Sequence, residues 1–378
     1  MAQRGRLIAM TDASEPASHD VEGLDAFDGG WGDYPLDAVF VRTEPRNVGD
    51  VVERIDRKRF ILDPDFQRDF VWPVPKQSKL IESAIMRIPL PVFYVAEAPD
   101  GRIIVVDGLQ RLTTFFRFMR NQFRLTGLGE PGKEHPLDGK LYKDLTVTLQ
   151  ERVADTPLTM YILDAKAPER AKLDIFERVN SGEPLTRQQM RNALYNGVAT
   201  TWLKEAVHGA EFQKATGMSL NPRTMRDREA VNRYVAFRLL GVTQYRGDMD
   251  AFLALGLSAL AELTDESRRV LRQEFDRAMS LCSDLFGDHA FRKSLASGPY
   301  ATRSVINISL FEVCAATMSK LGPLAQNQEE YLHETVMSLI GDARFSNAIT
   351  YSTNSSTQVR ARFDIMNYVI DDMPEAQW

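Results

Sequence analysis

At residues 103–114 the chain reads Ile-Ile-Val-Val-Asp-Gly-Leu-Gln-Arg-Leu-Thr-Thr. The β-branched run predicts a buried strand, and the apolar spacing of Leu112, Phe115 and Met119 predicts a helix. Gly108 lies between the two and can form the tight turn. A strand that turns directly into a helix points free N–H groups and the positive end of the helix dipole at one place, so the junction is a candidate phosphate site.

Two charged side chains flank this candidate site. Asp107 lies at the end of the predicted strand, and Arg111 lies in the first turn of the predicted helix. The competing interpretation is purely structural, because many junctions with Asp-Gly bind no ligand and Arg111 would then be an ordinary solvated or salt-bridged arginine. The sequence on either side favours a functional site.

Several short motifs surround the junction in a defined order, and they are specific as a group although each is weak alone. They are Gln67-Arg68 with Trp72, Ile88-Pro89 with Pro91, Asp107-Gly108-x-Gln110-Arg111, and Asn180-x-Gly182. Together they resemble the domain of unknown function 262 family, which includes the GmrS half of GmrSD-type modification-dependent restriction systems. The resemblance extends from about Asn47 to the C-terminus.

The resemblance implies an α+β fold in which a ParB/sulfiredoxin-like N-terminal domain precedes a mainly helical C-terminal domain. We expect an acidic mobile arm at residues 1–40, the ParB/sulfiredoxin-like nucleotide-binding domain at 41–165 and the helical domain at 166–378. The larger members of the family carry a C-terminal His-Asn-His-type nuclease domain. Its histidine-rich signature is absent from this sequence, so we expect that chemistry to be lacking or to come from a partner chain.

The family's hallmark pentapeptide, Asp-Gly-Gln-Gln-Arg, is associated with binding and hydrolysis of nucleoside triphosphates. Its counterpart here departs from the pattern at one position, where Leu109 replaces the first glutamine. If that glutamine orients water or a phosphate oxygen, hydrolysis would be slowed while binding survives. We therefore expect slow nucleotide turnover.

The resemblance also implies the roles of individual residues. Three are expected to be catalytic: Asp107, Gln110 and Arg111. Asp107 would hold Mg²⁺ or position water. Those expected to bind the nucleotide are Gln67, Arg68, Gly108, Arg111, Asn180 and Arg191.

The predicted function is a nucleotide-binding, NTP-hydrolysing module of a prokaryotic anti-phage restriction system that acts on DNA. Its cofactors would be Mg²⁺ and a nucleoside triphosphate, and its partners DNA and a nuclease or methyltransferase chain. One alternative is a non-enzymatic reader of DNA or modified DNA that signals to a partner nuclease. Another is a ParB-like DNA nickase that uses the Asp107 site directly.

Composition sets further bounds. The chain has 378 residues with 44% hydrophobic and 26% charged residues, which is typical of a globular protein with a sizeable core. Its two cysteines, Cys282 and Cys314, cannot form a disulfide framework and suit the reducing cytoplasm. No apolar run approaches the roughly 18 residues that a membrane span requires. The five histidines show no metal-ligand spacing, so zinc is not expected.

Charge is distributed unevenly. Residues 1–38 contain eight acidic and two basic residues, which accounts for the whole net charge of −6. Residues 67–124 contain nine basic and five acidic residues, which suits a phosphate ligand. The N-terminal arm is too polar to bury much surface, so its deletion is predicted to leave the melting temperature within a few degrees and to strengthen nonspecific DNA binding.

Local patterns predict several elements. Asn47 is a candidate cap for a helix that runs to about Asp56, and Thr186 with Gln189 forms a capping-box pattern. A hairpin is predicted across residues 98–101. The charged segment 225–238 predicts an amphipathic helix with a surface ion pair between Glu229 and Arg233.

Overall fold

A computed structural model describes residues 21–23, 41–62, 72–98, 100–129, 135–179, 186–298 and 300–377. The strands are β1 (Val21–Glu22), β2 (Val41–Asn47), β3 (Phe60–Ile61), β4 (Phe93–Glu97), β5 (Ile103–Asp107), β6 (Pro157–Leu163) and β7 (Ile306–Asn307). The helices of the N-terminal half are α1 (Val48–Asp56), α2 (Val74–Ile85), α3 (Leu109–Met119), α4 (Val147–Ala154), α5 (Glu169–Val179) and α6 (Arg187–Leu194). Those that follow are α7 (Val198–Val207), α8 (Ala210–Thr216), α9 (Arg226–Leu240), α10 (Met249–Glu262), α11 (Asp265–Phe286), α12 (Ile308–Met318), α13 (Gln326–Gly341), α14 (Ala343–Thr350) and α15 (Ser356–Asp371).

Five strands form a mixed sheet in the order β2-β6-β4-β5-β3. Strands β4 and β5 form the predicted antiparallel hairpin, whereas β6 runs parallel to β4 and β3 runs parallel to β5. The predicted caps are also confirmed. Asn47 accepts a hydrogen bond from the N–H of Asp50, and Thr186 and Gln189 form a reciprocal capping box. The α+β prediction is therefore correct at the level of a mixed sheet followed by many helices.

Both faces of this sheet are covered, which explains the uninterrupted β-branched run in β5. Ile103 and Val105 pack with helices α1 to α4 on one face. Ile104 and Val106 point the other way and pack with residues of α5 and α6. Successive side chains of a strand point to opposite faces, so a strand covered on both sides has no polar alternation. Helices α5 and α6, which follow the predicted boundary at residue 165, therefore complete the sheet unit.

Helices α7 to α15 surround a second, larger core that contains a buried charge cluster. Glu312 on α12 is fully buried between Arg233 on α9 and Arg362 on α15. The predicted surface pair of Glu229 and Arg233 is thus wrong in its location, because Arg233 faces the core and Glu229 lies 3.5 Å away at its margin. Sequence periodicity detects charge at helical spacing but does not show which face packs inward.

The two cysteines lie in this core. Both are free and buried. Burial raises the pKa of both thiols. Neither is suited to act as a nucleophile, because the thiolate is the reactive form. Within the described residues, none of the helices combines the length and hydrophobicity needed to span a bilayer.

Part of the predicted acidic arm is docked. Val21 is buried in the helical core, and β1 pairs in parallel with β7. Glu22 forms an ion pair with Lys293. For residues 21–23 the prediction of a mobile arm therefore differs from the structure. The remainder of the predicted arm lies outside the described residues.

Truncation tests this docking. We expect deletion of residues 1–20 to leave the melting temperature within a few degrees. Deletion of residues 1–38 should lower it by about 3–12 °C, because burial of one valine contributes about 1.5–3 kcal/mol and each kcal/mol corresponds to roughly 2–4 °C in a unit of this size. Thermal unfolding followed by circular dichroism measures both. Equal melting temperatures for the two truncations would show that the β1–β7 pairing contributes no stability.

Candidate functional site

The junction between β5 and α3 has the predicted strand–turn–helix geometry. Strand β5 ends at Asp107, Gly108 follows with a φ of 97°, and α3 begins at Leu109. The first backbone hydrogen bond of the helix joins the N–H of Leu112 to the carbonyl of Gly108 at 2.9 Å. The N–H groups of the three residues between them precede the regular helical pattern, and such groups at a helix start can bind an anion.

Gly108 is required by its conformation and by packing. Its positive φ is unfavourable for residues with a side chain. A Cβ atom at this position would lie 2.3 Å from Cδ1 of Phe93, which is well inside van der Waals contact. The lack of a side chain at residue 108 is therefore already required by an aromatic ring of β4.

Arg111 turns back across the start of the helix. Its Nη2 donates to the carbonyl of Val92 at 3.1 Å and to Oδ2 of Asp107 at 2.9 Å, and its Nη1 donates to the carbonyl of Pro91. The guanidinium also stacks over Phe93, with Cζ 4.2 Å from the ring centroid. Burial lowers the pKa of Arg111, and the Asp107 carboxylate partly offsets this. Arginine side chains stay protonated in proteins even so, and a positive charge is therefore held at the junction.

Asp107 is the acid of the junction. Its side chain is 38% exposed, against 12% for Arg111. One carboxylate oxygen accepts from Arg111, which leaves the carboxylate fixed in orientation and open to solvent. Among the described residues no group of three or more His, Cys, Asp or Glu side chains could share a metal ion. A single carboxylate nevertheless suits Mg²⁺ bound to a nucleotide, since that ion takes its remaining ligands from phosphates and water.

Gln110 connects the junction to the upstream loop. Its Oε1 accepts from the backbone N–H of Trp72 at 3.3 Å. The carbonyl of Trp72 in turn accepts from Gln77 at 2.8 Å. Trp72 directly follows the segment that carries the predicted nucleotide-binding residues Gln67 and Arg68, which lie outside the described residues. Gln110 thus holds Trp72 beside the junction.

Leu109 is the first residue of α3. It is half-buried and packs against the core beneath the sheet. Its position explains why an apolar residue is tolerated where the family pentapeptide has glutamine.

Arg191 is buried and directed toward α10. Its guanidinium contacts Asp250, which also pairs with Arg187, and Nη1 donates to Gln188 at 2.8 Å. The two arginines hold the pKa of Asp250 below its ordinary value in spite of burial, which acts the other way and is the largest influence. This arrangement connects α6 to α10. A contact between Arg191 and a nucleotide stays a prediction, and the predicted site residue Asn180 lies outside the described residues.

Sequence reasoning missed the part of the site that comes from the start of β4. Pro91, Val92 and Phe93 supply the two carbonyls and the ring that orient Arg111. The motif Ile88-Pro89 with Pro91 belonged to the family pattern, so a signal was present. It gave no indication that this segment contacts the helix some 20 residues later.

Comparison with known proteins agrees with the motifs. Residues 48–196 match the family model described as the N-terminal domain of the GmrSD restriction endonuclease. This segment is shorter than the span from Asn47 to the C-terminus that the motifs indicated, and it contains the sheet, α5 and α6. No curated protein and no solved structure matches the chain. Residues 48–196 are therefore similar to a GmrSD-type N-terminal domain.

Proposed function

We propose that this protein is a nucleotide-binding, NTP-hydrolysing module of a prokaryotic anti-phage restriction system that acts on DNA. The observation that carries the proposal is the β5–α3 junction, where a helix start, a fixed arginine and a half-exposed aspartate meet at one point. This junction lies inside the segment that matches the GmrSD N-terminal domain. We further propose that residues 41–165 have the ParB/sulfiredoxin-like fold that the family implies.

In this proposal the backbone N–H groups at the start of α3 bind a phosphate. Arg111 supplies positive charge and holds Asp107 in place. Asp107 positions water or holds Mg²⁺, which when bound neutralises phosphate charge. Gln110 holds Trp72 beside the junction. Gln67 and Arg68, which precede Trp72 in the chain, contact the nucleotide in this proposal.

Replacement of Arg111 tests the binding site. We expect Arg111→Ala to weaken nucleotide binding by about 1.5–3 kcal/mol, the range for a hydrogen bond to a charged group. The same change leaves the carbonyls of Pro91 and Val92 without their donor, which should cost about 1–3 kcal/mol of stability. Isothermal titration calorimetry with nucleoside triphosphates measures the binding, and thermal unfolding measures the stability.

A matched control is Arg57→Ala, which removes an arginine from an exposed ion pair on α1 of the same domain. This variant should bind nucleotide as the wild type does. Equal affinities for the wild type, Arg111→Ala and Arg57→Ala would exclude the junction as the binding site.

One observation favours the non-enzymatic reader as a second candidate. Leu109 offers no hydrogen bond where the family has glutamine, and its side chain lies against the core. A reader would bind nucleotide or DNA and release no phosphate. Phosphate release measured with and without DNA separates the two functions.

A further inference from the structure

A cleft lined mostly by polar and charged residue types lies between α14 and α15, far along the chain from the β5–α3 junction. It has a volume of about 470 Å³. Arginines, amides and a hydroxyl group line it, together with one acid and one alanine. The lining residues are Arg344, Asn347, Thr357, Gln358, Arg360, Ala361 and Asp364.

The two arginines of the cleft differ from most other described arginines in having no partner for the guanidinium group. Within the described part of the chain, neither the Arg344 nor the Arg360 guanidinium has a hydrogen bond or an ion pair. Asp364 lies one helical turn from Arg360 on α15, a spacing that commonly gives an ion pair, yet the two do not pair within 4.0 Å. Both positive charges are exposed and face the same cleft.

Two exposed tyrosines lie close in sequence to the residues that line the cleft. Tyr351 directly follows α14, which carries Arg344 and Asn347, and it is 67% exposed. Tyr368 lies one turn beyond Asp364 on α15 and is 68% exposed. Guanidinium groups that contact phosphates, combined with aromatic rings that stack on bases, are the usual means of binding a single nucleic-acid strand.

The cleft has a rigid base. Arg362, on the opposite face of α15 from the cleft, is fully buried and donates to the carbonyls of Ala348 and Thr353 at 3.1 and 2.6 Å. These bonds connect α15 to the end of α14 and to the loop between them. The arginines of the cleft are therefore presented on helices of defined separation, which lowers the entropic cost of binding.

We propose that the cleft between α14 and α15 binds the backbone of a single DNA strand, with Arg344 and Arg360 on its phosphates and Tyr351 stacked on a base. The inference rests on the proposed function in taking DNA as the partner. It adds a contact surface outside the segment that matches the GmrSD N-terminal domain.

Fluorescence anisotropy with the full chain and a labelled single-stranded oligonucleotide tests the proposal. We expect Arg344→Ala/Arg360→Ala to bind at least about tenfold more weakly at low salt and to reduce the slope of log K against log salt by about 1.4, since each single-strand phosphate contact contributes about 0.7. Tyr351→Ala should weaken binding at least about fivefold through loss of stacking. Both arginines are exposed, so folding should be unaffected.

The control removes the same charge from another exposed surface. Arg269→Ala/Arg277→Ala changes two arginines of α11 and should bind the oligonucleotide as the wild type does. If the cleft variant also binds like this control, the proposal is overturned while the DNA partner of the proposed function stands. If the wild type binds no DNA, both fail. Nucleotide binding without DNA should be equal in all variants.

Two further ligands distinguish a single DNA strand from other negatively charged partners. A duplex of the same sequence should bind more weakly than the single strand, and Tyr351→Ala should leave duplex binding unchanged. If Tyr351→Ala weakened the binding of duplex and single strand equally, the proposed stacking on unpaired bases would be overturned. A polyglutamate peptide is the second ligand. If it binds the wild type as tightly as the oligonucleotide does, and the cleft variant loses both affinities equally, the cleft is a site for acidic peptides and the proposal is overturned.

Discussion

Replacing Asp107 with asparagine is expected to reduce NTP turnover by at least about 100-fold, the scale for loss of a key acid–base or electrostatic group. Asparagine keeps the shape of the side chain and can still accept from Arg111, so the junction should remain folded. It loses the charge that would hold Mg²⁺ or position water. Binding of nucleotide without metal should be retained or strengthened, because a carboxylate no longer repels the phosphates.

Asp56→Asn provides a matched control for this experiment. Asp56 is also 38% exposed, also pairs with an arginine and belongs to the same domain. Its replacement should leave turnover unchanged. If phosphate release by the wild type is indistinguishable from the no-enzyme blank, with and without DNA, hydrolysis is rejected. The non-enzymatic DNA reader is then favoured. Equal turnover in the wild type and Asp107→Asn would remove Asp107 from the mechanism.

The second large effect is expected in the helical region. Glu312→Gln should destabilise the protein by about 3–5 kcal/mol, because it removes the carboxylate that pairs with Arg362 and leaves Arg233 with only the more distant Glu229. Glu312 accepts from Arg233 at 2.9 Å and from Nε of Arg362 at 2.9 Å. Burial alone would lower the pKa of Arg233, but Glu312 and Glu229 outweigh it and raise the value. Urea unfolding followed by circular dichroism measures the loss.

Glu53→Gln is the control for this stability change. Glu53 pairs with Arg57 on an exposed face of α1, where water competes with the ion pair. Its replacement should cost no more than about 1 kcal/mol. A loss for Glu312→Gln as small as that for Glu53→Gln would show that the buried cluster relaxes or admits water when its acid is removed.

The sequence predicted those parts of the site that depend on neighbouring residues. The β-branched run, Gly108 and the apolar spacing from Leu112 onward were sufficient for the strand, the turn and the helix. Each depends on the conformational preferences of adjacent residues or on contacts one helical turn apart. The caps at Asn47 and Thr186 were predictable for the same reason, since both hydrogen bonds close within three residues.

The partners of the charged groups could not be predicted in this way. Arg111 bonds to carbonyls about 20 residues before it, and Gln110 bonds to Trp72, 38 residues before it. No local pattern encodes such pairs, because they depend on which strand lies beside which helix.

The sequence alone therefore determined the strand–turn–helix junction, the family resemblance of residues 48–196 and the separation of an acidic N-terminal segment from a neutral remainder. The tertiary structure decided which charges are neutralised. Arg233 appeared to be a surface residue by its spacing, yet packing of α9 against α12 buries it beside Glu312, 79 residues away. Arg344 and Arg360 resembled many other arginines in the sequence, and only the packing of α14 against α15 placed them in one cleft. Charge pairing over such separations is set by how helices pack, and a one-dimensional pattern carries no information about that.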